Sequence, residues 1–251
     1  MQHFSSDGVD IAFLDEGEGP PILMIHGFAS TAAVNWVATG WTETLKRAGR
    51  RVIALDNRGH GGSTKLYEPA LYRPSLMAGD ARRLLAHLAI ESADVMGYSM
   101  GARIAAFLAI EHPAPVRSLI IGGLGMALVD GIDGGEIIAR ALEAPKLAGL
   151  SEGPGSGYRR FAEQTGSDRR ALAACMRGSR DNVPVSSLAA LDLPVLVAVG
   201  ERDEVSGSGE RLAQLIPGAE YLEIPRRDHM LATGDKVFKQ GVVAFLDRRG
   251  G

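Results

Sequence analysis

Short apolar runs alternate along this chain with longer stretches of helical periodicity. The apolar runs predict strands at Val9–Leu14, Ile22–Ile25, Arg51–Leu55, Ala93–Gly97, Ser118–Gly122, Val195–Gly200 and Glu220–Ile224. Several of these runs are continuous in Val, Ile, Leu and Met, which is typical of strands buried on both faces of a parallel sheet.

Helical periodicity fills the intervals between the predicted strands. It predicts helices at Thr42–Ala48, Ser75–Ile90, Gly101–His112, Gly207–Leu215 and Asp235–Leu246. In the second of these, Leu84 and Leu88 fall on one helical stripe and Arg82 faces elsewhere. Alternating strands and helices predict an α/β fold built on a doubly wound, mostly parallel sheet.

The alternation stops after Gly122 and resumes at Pro194. The residues between them are rich in glycine and contain helix-like pieces, and a structureless loop of that length is uncommon in a compact domain. We therefore expect residues 1–122 and 194–251 to form the core domain. Residues 123–193 are expected to form a small helical lid inserted into it.

The composition limits the partners of the protein. Of the 251 residues 45% are hydrophobic, the net charge is −3, and Cys175 is the single cysteine. No basic field for nucleic acid, disulfide framework, metal-ligand spacing or phosphate-binding glycine motif is visible, so we expect no nucleic-acid partner, metal or cofactor. With neither a signal peptide nor a long apolar run, we expect a cytoplasmic protein with no membrane partner. The oligomeric state stays open.

The sharpest local motif is the pentapeptide Gly97-Tyr98-Ser99-Met100-Gly101, which joins a predicted strand to a predicted helix. Gly-x-Ser-x-Gly in that context forms a tight turn that lifts the serine hydroxyl off the sheet. The glycines allow backbone segments to approach closely, and the helix N-terminus favours negative charge near the serine. The alternative interpretation is a glycine-rich turn whose serine merely caps the helix.

Four further motifs each follow a predicted strand. They are His26-Gly27-Phe28, the turn Asp56-Asn57-Arg58-Gly59-His60-Gly61-Gly62-Ser63, Gly200-Glu201-Arg202-Asp203 and Asp228-His229. With these motifs the chain resembles the α/β-hydrolase fold superfamily over nearly its whole length.

This resemblance implies a set of site residues. Ser99 would be the nucleophile, Asp203 the acid and His229 the base, in the chain order seen in that superfamily. The backbone N–H groups of Phe28 and Met100 would form the oxyanion hole. Chemically, a serine hydroxyl needs an adjacent base, a neutral imidazole can serve, and a carboxylate holds the imidazole in the right tautomer.

Other residues compete for these roles. Asp130 lies a few residues past an earlier strand, where some members of the superfamily place the acid. Asp228 adjoins the predicted base and is poorly placed to orient it. His60, in the glycine-rich turn, is a rival base, while the resemblance implies that His26 supports the oxyanion loop.

The nucleophile type narrows the reaction. Dehalogenases and epoxide hydrolases of the superfamily carry aspartate where this chain has Ser99, so acyl transfer to water is favoured over alkyl displacement. We expect a cofactor-independent serine hydrolase whose partner is a small carboxylic ester, lactone or thioester. A non-catalytic binding module would not need the three predicted residues Ser99, Asp203 and His229.

A second reaction class uses the same three residues on an anionic substrate. Gly-Tyr-Ser-Met-Gly-Ala-Arg resembles the corresponding segment of the menaquinone-pathway lyase, in which the arginine matching Arg103 contacts substrate. A carbon–carbon bond hydrolase is a further alternative. Arg103 is therefore a candidate contact for an anionic substrate. Trp36 and Tyr158 are candidate substrate contacts that could line an apolar acyl pocket.

The predicted lid is rich in arginine. Its cluster comprises Arg159, Arg160, Arg169, Arg170, Arg177 and Arg180. Such a cluster indicates either recognition of an anion or solvated helix faces. Cys175 is expected to be a packing residue of the lid.

Overall fold

The computed structural model describes residues 1–146 and 152–248. Its strands are β1 Gln2–Ser6, β2 Val9–Glu16, β3 Pro21–Ile25, β4 Arg51–Leu55, β5 Ala93–Tyr98, β6 Val116–Gly122, β7 Val195–Gly200 and β8 Glu220–Ile224. They form one sheet in the order β1-β2-β4-β3-β5-β6-β7-β8. The pairs β1–β2 and β2–β4 are antiparallel and all others are parallel. The predicted doubly wound, mostly parallel sheet is confirmed.

Helices connect these strands. They are α1 Trp41–Arg47, α2 Pro74–His87, α3 Met100–Glu111, α4 Ala127–Asp130, α5 Gly135–Glu143, α6 Pro154–Gln164, α7 Arg169–Gly178, α8 Val185–Ala189, α9 Gly209–Gln214, α10 His229–Ala232 and α11 Lys236–Asp247. Short turns of π- and 3₁₀-helix lie at Ala33–Val37 and Pro69–Tyr72. Among the helices described, none has the length and apolarity needed to cross a membrane.

The inner strands β3 to β7 are buried on both faces because helices cover both sides of the sheet, whereas the edge strand β8 is partly exposed. One core lies on the side of α2, α3 and α9, and contains alternate strand residues such as Ile25, Val95 and Val197. The other lies on the side of α1 and α11, and contains Met24 and Met96. Successive side chains of a strand point to opposite faces. Each inner strand is therefore mostly apolar, which is the pattern read from the sequence.

The described residues between β6 and β7 form helices α4 to α8. A separate apolar cluster joins α5, α6 and α7, with Ile138, Leu142, Ala162 and Leu172 at its centre. Whether residues 123–193 act as a lid stays a prediction, and the stretch 147–151, like 249–251 in the predicted core, lies outside the described residues.

The sequence pattern missed β1. Only Phe4 and Ser6 of this edge strand are buried, so it has no continuous apolar run. Its pairing with β2 is made by backbone groups across a tight turn at Asp7 and Gly8, both of which have positive φ. Backbone pairing of an edge strand depends on its neighbour more than on its own side chains.

The turn after β5 depends on two glycines that have no room for a side chain. A Cβ atom added to Gly97 would lie 2.1 Å from the carbonyl oxygen of Gly101, and one added to Gly101 would lie 2.0 Å from that of Ile25. Both obstacles are backbone atoms, which cannot rotate away. The glycines therefore let α3 begin directly against the ends of β3 and β5.

We expect Gly101→Ala to lower the free energy of unfolding by at least about 3 kcal/mol, because the added methyl group must push backbone apart. The measurement is urea unfolding followed by circular dichroism. Gly157→Ala is the matched control: nothing lies within 4 Å of its added Cβ, and it sits within α6. That control should gain about 0.5–1 kcal/mol, because alanine is the better helix former. Similar effects of the two substitutions would contradict this account of the turn.

Candidate active site

Ser99 occupies a strained turn at the carboxyl end of β5. Its φ is 54° and ψ is −115°, a conformation that non-glycine residues rarely adopt. Its N–H donates to the carbonyl of Gly122 at 2.8 Å, which fixes the turn against β6. Ser99 lies at the N-cap position of α3, but its hydroxyl caps no helical N–H. The interpretation of this serine as a simple helix cap is therefore not supported.

His229 contacts the hydroxyl of Ser99. The Nε2 atom of His229 lies 3.0 Å from Ser99 Oγ, across 130 residues of sequence. The imidazole is placed by the start of α10, where the Asp228 carboxylate accepts hydrogen bonds from the N–H groups of Met230 and Leu231. Asp228 thus serves as a helix cap next to the histidine, and it does not orient the ring.

Asp203 lies on the other side of the imidazole, in the loop after β7. Its Oδ2 atom accepts from His229 Nδ1 at 2.8 Å and from the Ser206 hydroxyl at 2.6 Å. Its Oδ1 atom accepts from the N–H groups of Val205 and Ser206. Burial acts to raise the pKa of Asp203, but these hydrogen bonds and the imidazole outweigh it and lower the pKa below its ordinary value. Asp203 is therefore a carboxylate at neutral pH.

The loop after β3 is held by buried histidines. His26 Nε2 accepts from the N–H of Asn57 at 3.0 Å, and His60 Nε2 accepts from the N–H of Ala29 at 3.2 Å. The other nitrogen of each ring lies against a backbone carbonyl, of Gly27 and of Arg58 respectively. Both imidazoles are committed to backbone groups, so the structure supports the expected structural role of His26 and gives His60 the same kind of role.

Burial keeps these two histidines neutral. It lowers the pKa of His60 from 6.5 to about 3, with the nearby His26 contributing in the same direction. Burial likewise lowers the pKa of His26. Because Nε2 of each ring must accept a hydrogen bond, protonation would break a contact as well as place a charge in the interior.

The glycine-rich turn after β4 also contacts the chain that follows β3. Asp56 accepts from the N–H groups of Ala32 and Gly62. Arg58 forms a buried, two-pronged ion pair with Asp80, with contacts of 2.7 and 2.8 Å. The turn therefore has a structural role: it fixes the loop that carries Phe28.

The predicted oxyanion donors lie beside Ser99. Phe28 and Met100 both line the largest cavity at the serine. In the described part of the chain, neither backbone N–H donates to a protein acceptor. Two such free donors are what an oxyanion needs, and the assignment of the oxyanion hole to these residues stays a prediction.

Two cavities meet at Ser99. The larger chamber has a volume of about 480 Å³ and is lined by residues that include Met100, Arg103, Leu124, Met176 and Arg180. The smaller chamber has a volume of about 150 Å³ and is lined by residues that include Ser30, Asn35, Phe161, His229 and Met230. Ser99, Phe28 and Tyr158 line both. The serine therefore stands where the two chambers join.

The three predicted substrate contacts have different positions. Tyr158 borders both chambers, with its ring 5.3 Å from that of Phe28. Arg103 borders the larger chamber, but its guanidinium donates to the carbonyls of Ala127, Leu128 and Asp181. It therefore ties the helical segment to α3.

Trp36 requires a correction, because it lies outside both chambers. Its side chain is fully buried in the core on the side of α1, packed edge-on against Trp41 with 6.3 Å between ring centroids. The residue before it, Asn35, lines the smaller chamber instead. The π-helical turn at Ala33–Val37 sets which side chain faces the cavity, and sequence periodicity does not reveal such a turn.

Two arginines of the cluster connect the helices of the segment between β6 and β7. Arg159 is buried and donates to the carbonyls of Ala141 and Ala144, while Arg177 bridges Glu136 and Glu143. These contacts satisfy the carbonyl end of α5 and link α5 to α7. The interpretation as solvated helix faces is therefore wrong for these two arginines, whereas Arg160 and Arg170 are exposed.

Arg180 differs from the other arginines of the cluster. It lines the larger chamber, and its guanidinium lies 3.4 Å from the sulfur of Met176. No carboxylate lies within 4 Å of it among the described residues. The carboxylates of Asp130 and Asp133 border the same chamber from exposed positions. Arg180 is therefore an inner cation facing the cavity.

Other predictions about reactive groups can be placed. Asp130, the alternative acid, is exposed and contacts neither Ser99 nor His229 in the described structure. Cys175 is buried in the helical segment, and burial raises the pKa of its thiol to about 12, as expected of a packing residue. Within residues 1–146 and 152–248, no group of side chains has the arrangement needed to hold a metal ion.

Sequence reasoning missed several residues of the site. Ser206 donates to Asp203, and Tyr98 donates to the backbone carbonyl of His229 at 2.5 Å. Ser30 and Asn35 line the smaller chamber. Tyr98 could have been noticed, because it lies within the serine motif. Ser30, Asn35 and Ser206 belong to no sequence motif that would have indicated them.

The chain was compared with known proteins. A family model described as the alpha/beta hydrolase fold matches residues 20–128. The non-heme chloroperoxidase CPO-A1 of Kitasatospora aureofaciens is 27% identical over 96% of this chain and 98% of its own. The 2-hydroxymuconate semialdehyde hydrolase of Pseudomonas sp. (strain CF600) is 37% identical over 131 residues, which are 50% of this chain and 45% of the relative. The solved structure of a thermophilic esterase from Thermogutta terrifontis matches at 26% identity, covers 100% of both chains and has a TM-score of 0.82.

Fold and site together define a doubly wound α/β protein with a strained serine turn at the carboxyl edge of its sheet. The chain has the α/β-hydrolase fold: the matching family model covers residues 20–128, and the structural likeness to the esterase extends over the full length of both chains.

The neutral, buried His60 predicts a loss of stability in mild acid. Below pH 6.5 the unfolded chain binds a proton at this residue, whereas the folded chain does not until about pH 3. Stability therefore falls as the pH falls, by about 2 kcal/mol between pH 7 and pH 5 for this one group. We expect His60→Gln to reduce that acid dependence, measured as urea unfolding at both pH values.

Exposed His87, whose ring stacks on Phe4, provides the control for this measurement. His87→Gln should keep the full difference between pH 7 and pH 5. An acid dependence that is unchanged by His60→Gln would show that this imidazole is not the group responsible.

Proposed function

We propose that this protein is a cofactor-independent serine hydrolase that cleaves a small carboxylic ester, lactone or thioester through an acyl-enzyme. One observation carries the proposal: an unbroken relay of hydrogen bonds, 3.0 Å from Ser99 Oγ to His229 Nε2 and 2.8 Å from His229 Nδ1 to Asp203 Oδ2. Nδ1–H donates to the carboxylate, so Nε2 carries the free lone pair that the hydroxyl needs.

In the first half-reaction, Ser99 Oγ attacks the carbonyl carbon of the substrate while its proton passes to His229 Nε2. The tetrahedral oxyanion is held by the N–H groups of Phe28 and Met100. The bond to the leaving oxygen then breaks, and that oxygen takes the proton from Nε2. Asp203 stabilises the imidazolium in between, and its lowered pKa keeps it charged for this role.

In the second half-reaction, water attacks the acyl-enzyme. His229 takes a proton from the water and returns it to Ser99 Oγ as the acid is released. The chemistry at each step is proton transfer and acyl transfer, so side chains and backbone N–H groups of the chain, together with water, supply every group that these steps use.

The comparisons support the hydrolase class. The structure that matches over its full length is that of an esterase, and one partial relative is a hydrolase of a semialdehyde. Serine at the nucleophile position favours acyl transfer, because aspartate there would instead favour alkyl displacement.

We expect Ser99→Ala to lower kcat/KM for p-nitrophenyl acetate at least about 1,000-fold, because no nucleophile remains. Asp203→Asn should cause a loss of similar size through the wrong imidazole tautomer. Asp228→Asn is the matched control: asparagine also caps helices, so activity should stay within about threefold of wild type. Fluorophosphonate labelling of Ser99, read by peptide mass spectrometry, measures the nucleophile directly. Folded wild-type protein that resists the probe would exclude the proposal.

A second candidate function is a carbon–carbon bond hydrolase, or a lyase of the menaquinone-pathway type, acting on an anionic substrate. The observation that favours it is the pair of cations in the larger chamber, Arg103 and Arg180. Burial and the neighbouring Arg180 lower the pKa of Arg103 to about 10, and the group still stays charged at neutral pH. A carboxylate on the substrate would be attracted by these two positive charges.

We expect Arg180→Gln to lower kcat/KM about tenfold for a p-nitrophenyl ester whose acyl chain ends in a carboxylate. A neutral ester of equal length should change less than twofold, because only the anionic chain loses its counter-charge. Arg170→Gln, which removes a surface arginine lying over Tyr67, is the control. Turnover of 2-hydroxymuconate semialdehyde, compared with that of the esters, separates the two candidates. Equal sensitivity of both esters to Arg180→Gln would argue against anion recognition.

A further inference from the structure

The two chambers at Ser99 differ in which residues of the relay they reach. His229 lines the smaller chamber, with Met230 and Thr233 beside it. The larger chamber passes Ser99 on the side of Met100 and Leu124, and His229 is not among its lining residues. Because Ser99 borders both, a substrate bonded to it can extend into each chamber.

Proton transfer decides which half of an ester occupies which chamber. His229 Nε2 must give its proton to the leaving oxygen, which requires hydrogen-bond distance between the two atoms. The leaving alcohol therefore lies on the side of His229, in the smaller chamber. The acyl chain then occupies the larger chamber. This assignment rests on the proposed function.

The smaller chamber limits the size of the leaving alcohol. Its volume of about 150 Å³ is less than a third of the about 480 Å³ of the larger chamber. This difference favours a short alcohol in the smaller chamber and the longer acyl chain in the larger one. Phe28, Tyr158 and Phe161 supply aromatic walls of the smaller chamber.

Two polar groups of the smaller chamber have no partner in the described protein. The hydroxyl of Ser30 is buried, with the residue only 4% exposed, and forms no hydrogen bond. The carboxamide of Asn35 is oriented because Oδ1 accepts from the N–H of Gly27 at 2.8 Å. Its Nδ2 group donates to no acceptor among the described residues. A buried hydroxyl without a partner is destabilising, so such a group at a cavity wall points to a ligand that meets it.

We propose that the smaller chamber binds the leaving alcohol of the substrate and selects one that carries a second hydroxyl, as in an ester of ethylene glycol or glycerol. Ser30 is the specificity-determining residue, and its hydroxyl pairs with that second hydroxyl. Asn35 Nδ2 offers a further donor to the same group. The acyl bond breaks at Ser99 as in any ester, so the second hydroxyl takes part in recognition only.

The test is a matched pair of substrates, 2-hydroxyethyl butyrate and propyl butyrate. The two alcohols have equal numbers of heavy atoms and differ by a hydroxyl in place of a methyl group. Both esters form the same butyryl-enzyme, so any difference in kcat/KM arises in binding and acylation of the ester. Butyrate release is measured for wild type, Ser30→Ala and the surface control Ser5→Ala.

We expect the wild type and Ser5→Ala to prefer the 2-hydroxyethyl ester about tenfold in kcat/KM. Ser30→Ala should bring that preference close to unity and leave the propyl ester within about threefold of wild type. Retention of hydrolysis of the propyl ester also shows that the variant is folded and that the relay is intact.

Three outcomes would overturn the inference. One is a wild type that prefers the propyl ester or treats the two alike. Another is a preference that survives Ser30→Ala. The third is an equal loss on both esters in Ser30→Ala, which would mean that Ser30 holds a water molecule for both reactions. Failure of the proposed function looks different: wild type and Ser99→Ala would then be equally inert towards both esters and p-nitrophenyl acetate.

Discussion

The hydrogen bond between Ser99 and His229 joins the ends of two strands that are far apart in the sheet. β5 lies in the middle and β8 at the edge, with β6 and β7 between them. The serine reaches across because its backbone is held at positive φ, and the imidazole reaches back because α10 begins at that residue. The two glycines of the turn make the strained conformation possible, since backbone fills the space that side chains would need.

The surrounding structure stabilises this strained region with buried polar contacts. Neutral His60 accepts a hydrogen bond from Ala29 in the loop that carries Phe28, and His26 of that loop accepts one from Asn57 in the turn after β4. Asp56, at the start of that turn, also accepts from the N–H of Ala32. On the other side, Ser206 and two backbone N–H groups hold Asp203. Groups that hold an active site rigid in this way reduce the reorganisation needed when charge develops. The two chambers meet at the serine that these contacts hold in place.

The sequence predicted the inner parallel strands well, because burial on both faces requires continuous apolar runs. It predicted β1 not at all, since an edge strand pairs through backbone groups. The residues proposed as nucleophile, base and acid were found because each follows a strand and has a recognisable neighbour. Ser30 and Asn35 have no recognisable neighbours in the sequence, so they were not predicted. Trp36 was chosen for its size, but the π-helical turn directs it into the core.

The alternation of strands and helices along the chain, the serine turn and the types of the reactive groups were therefore determined by the sequence alone, because periodicity and short motifs are local properties. Only the tertiary structure decided which side chains meet. It committed most of the lid arginines to helix carbonyls and glutamates, left Arg180 facing a cavity, and placed an unpaired hydroxyl at Ser30. The physical reason is that pairing and burial are relations between distant segments, and they exist only once the chain has folded.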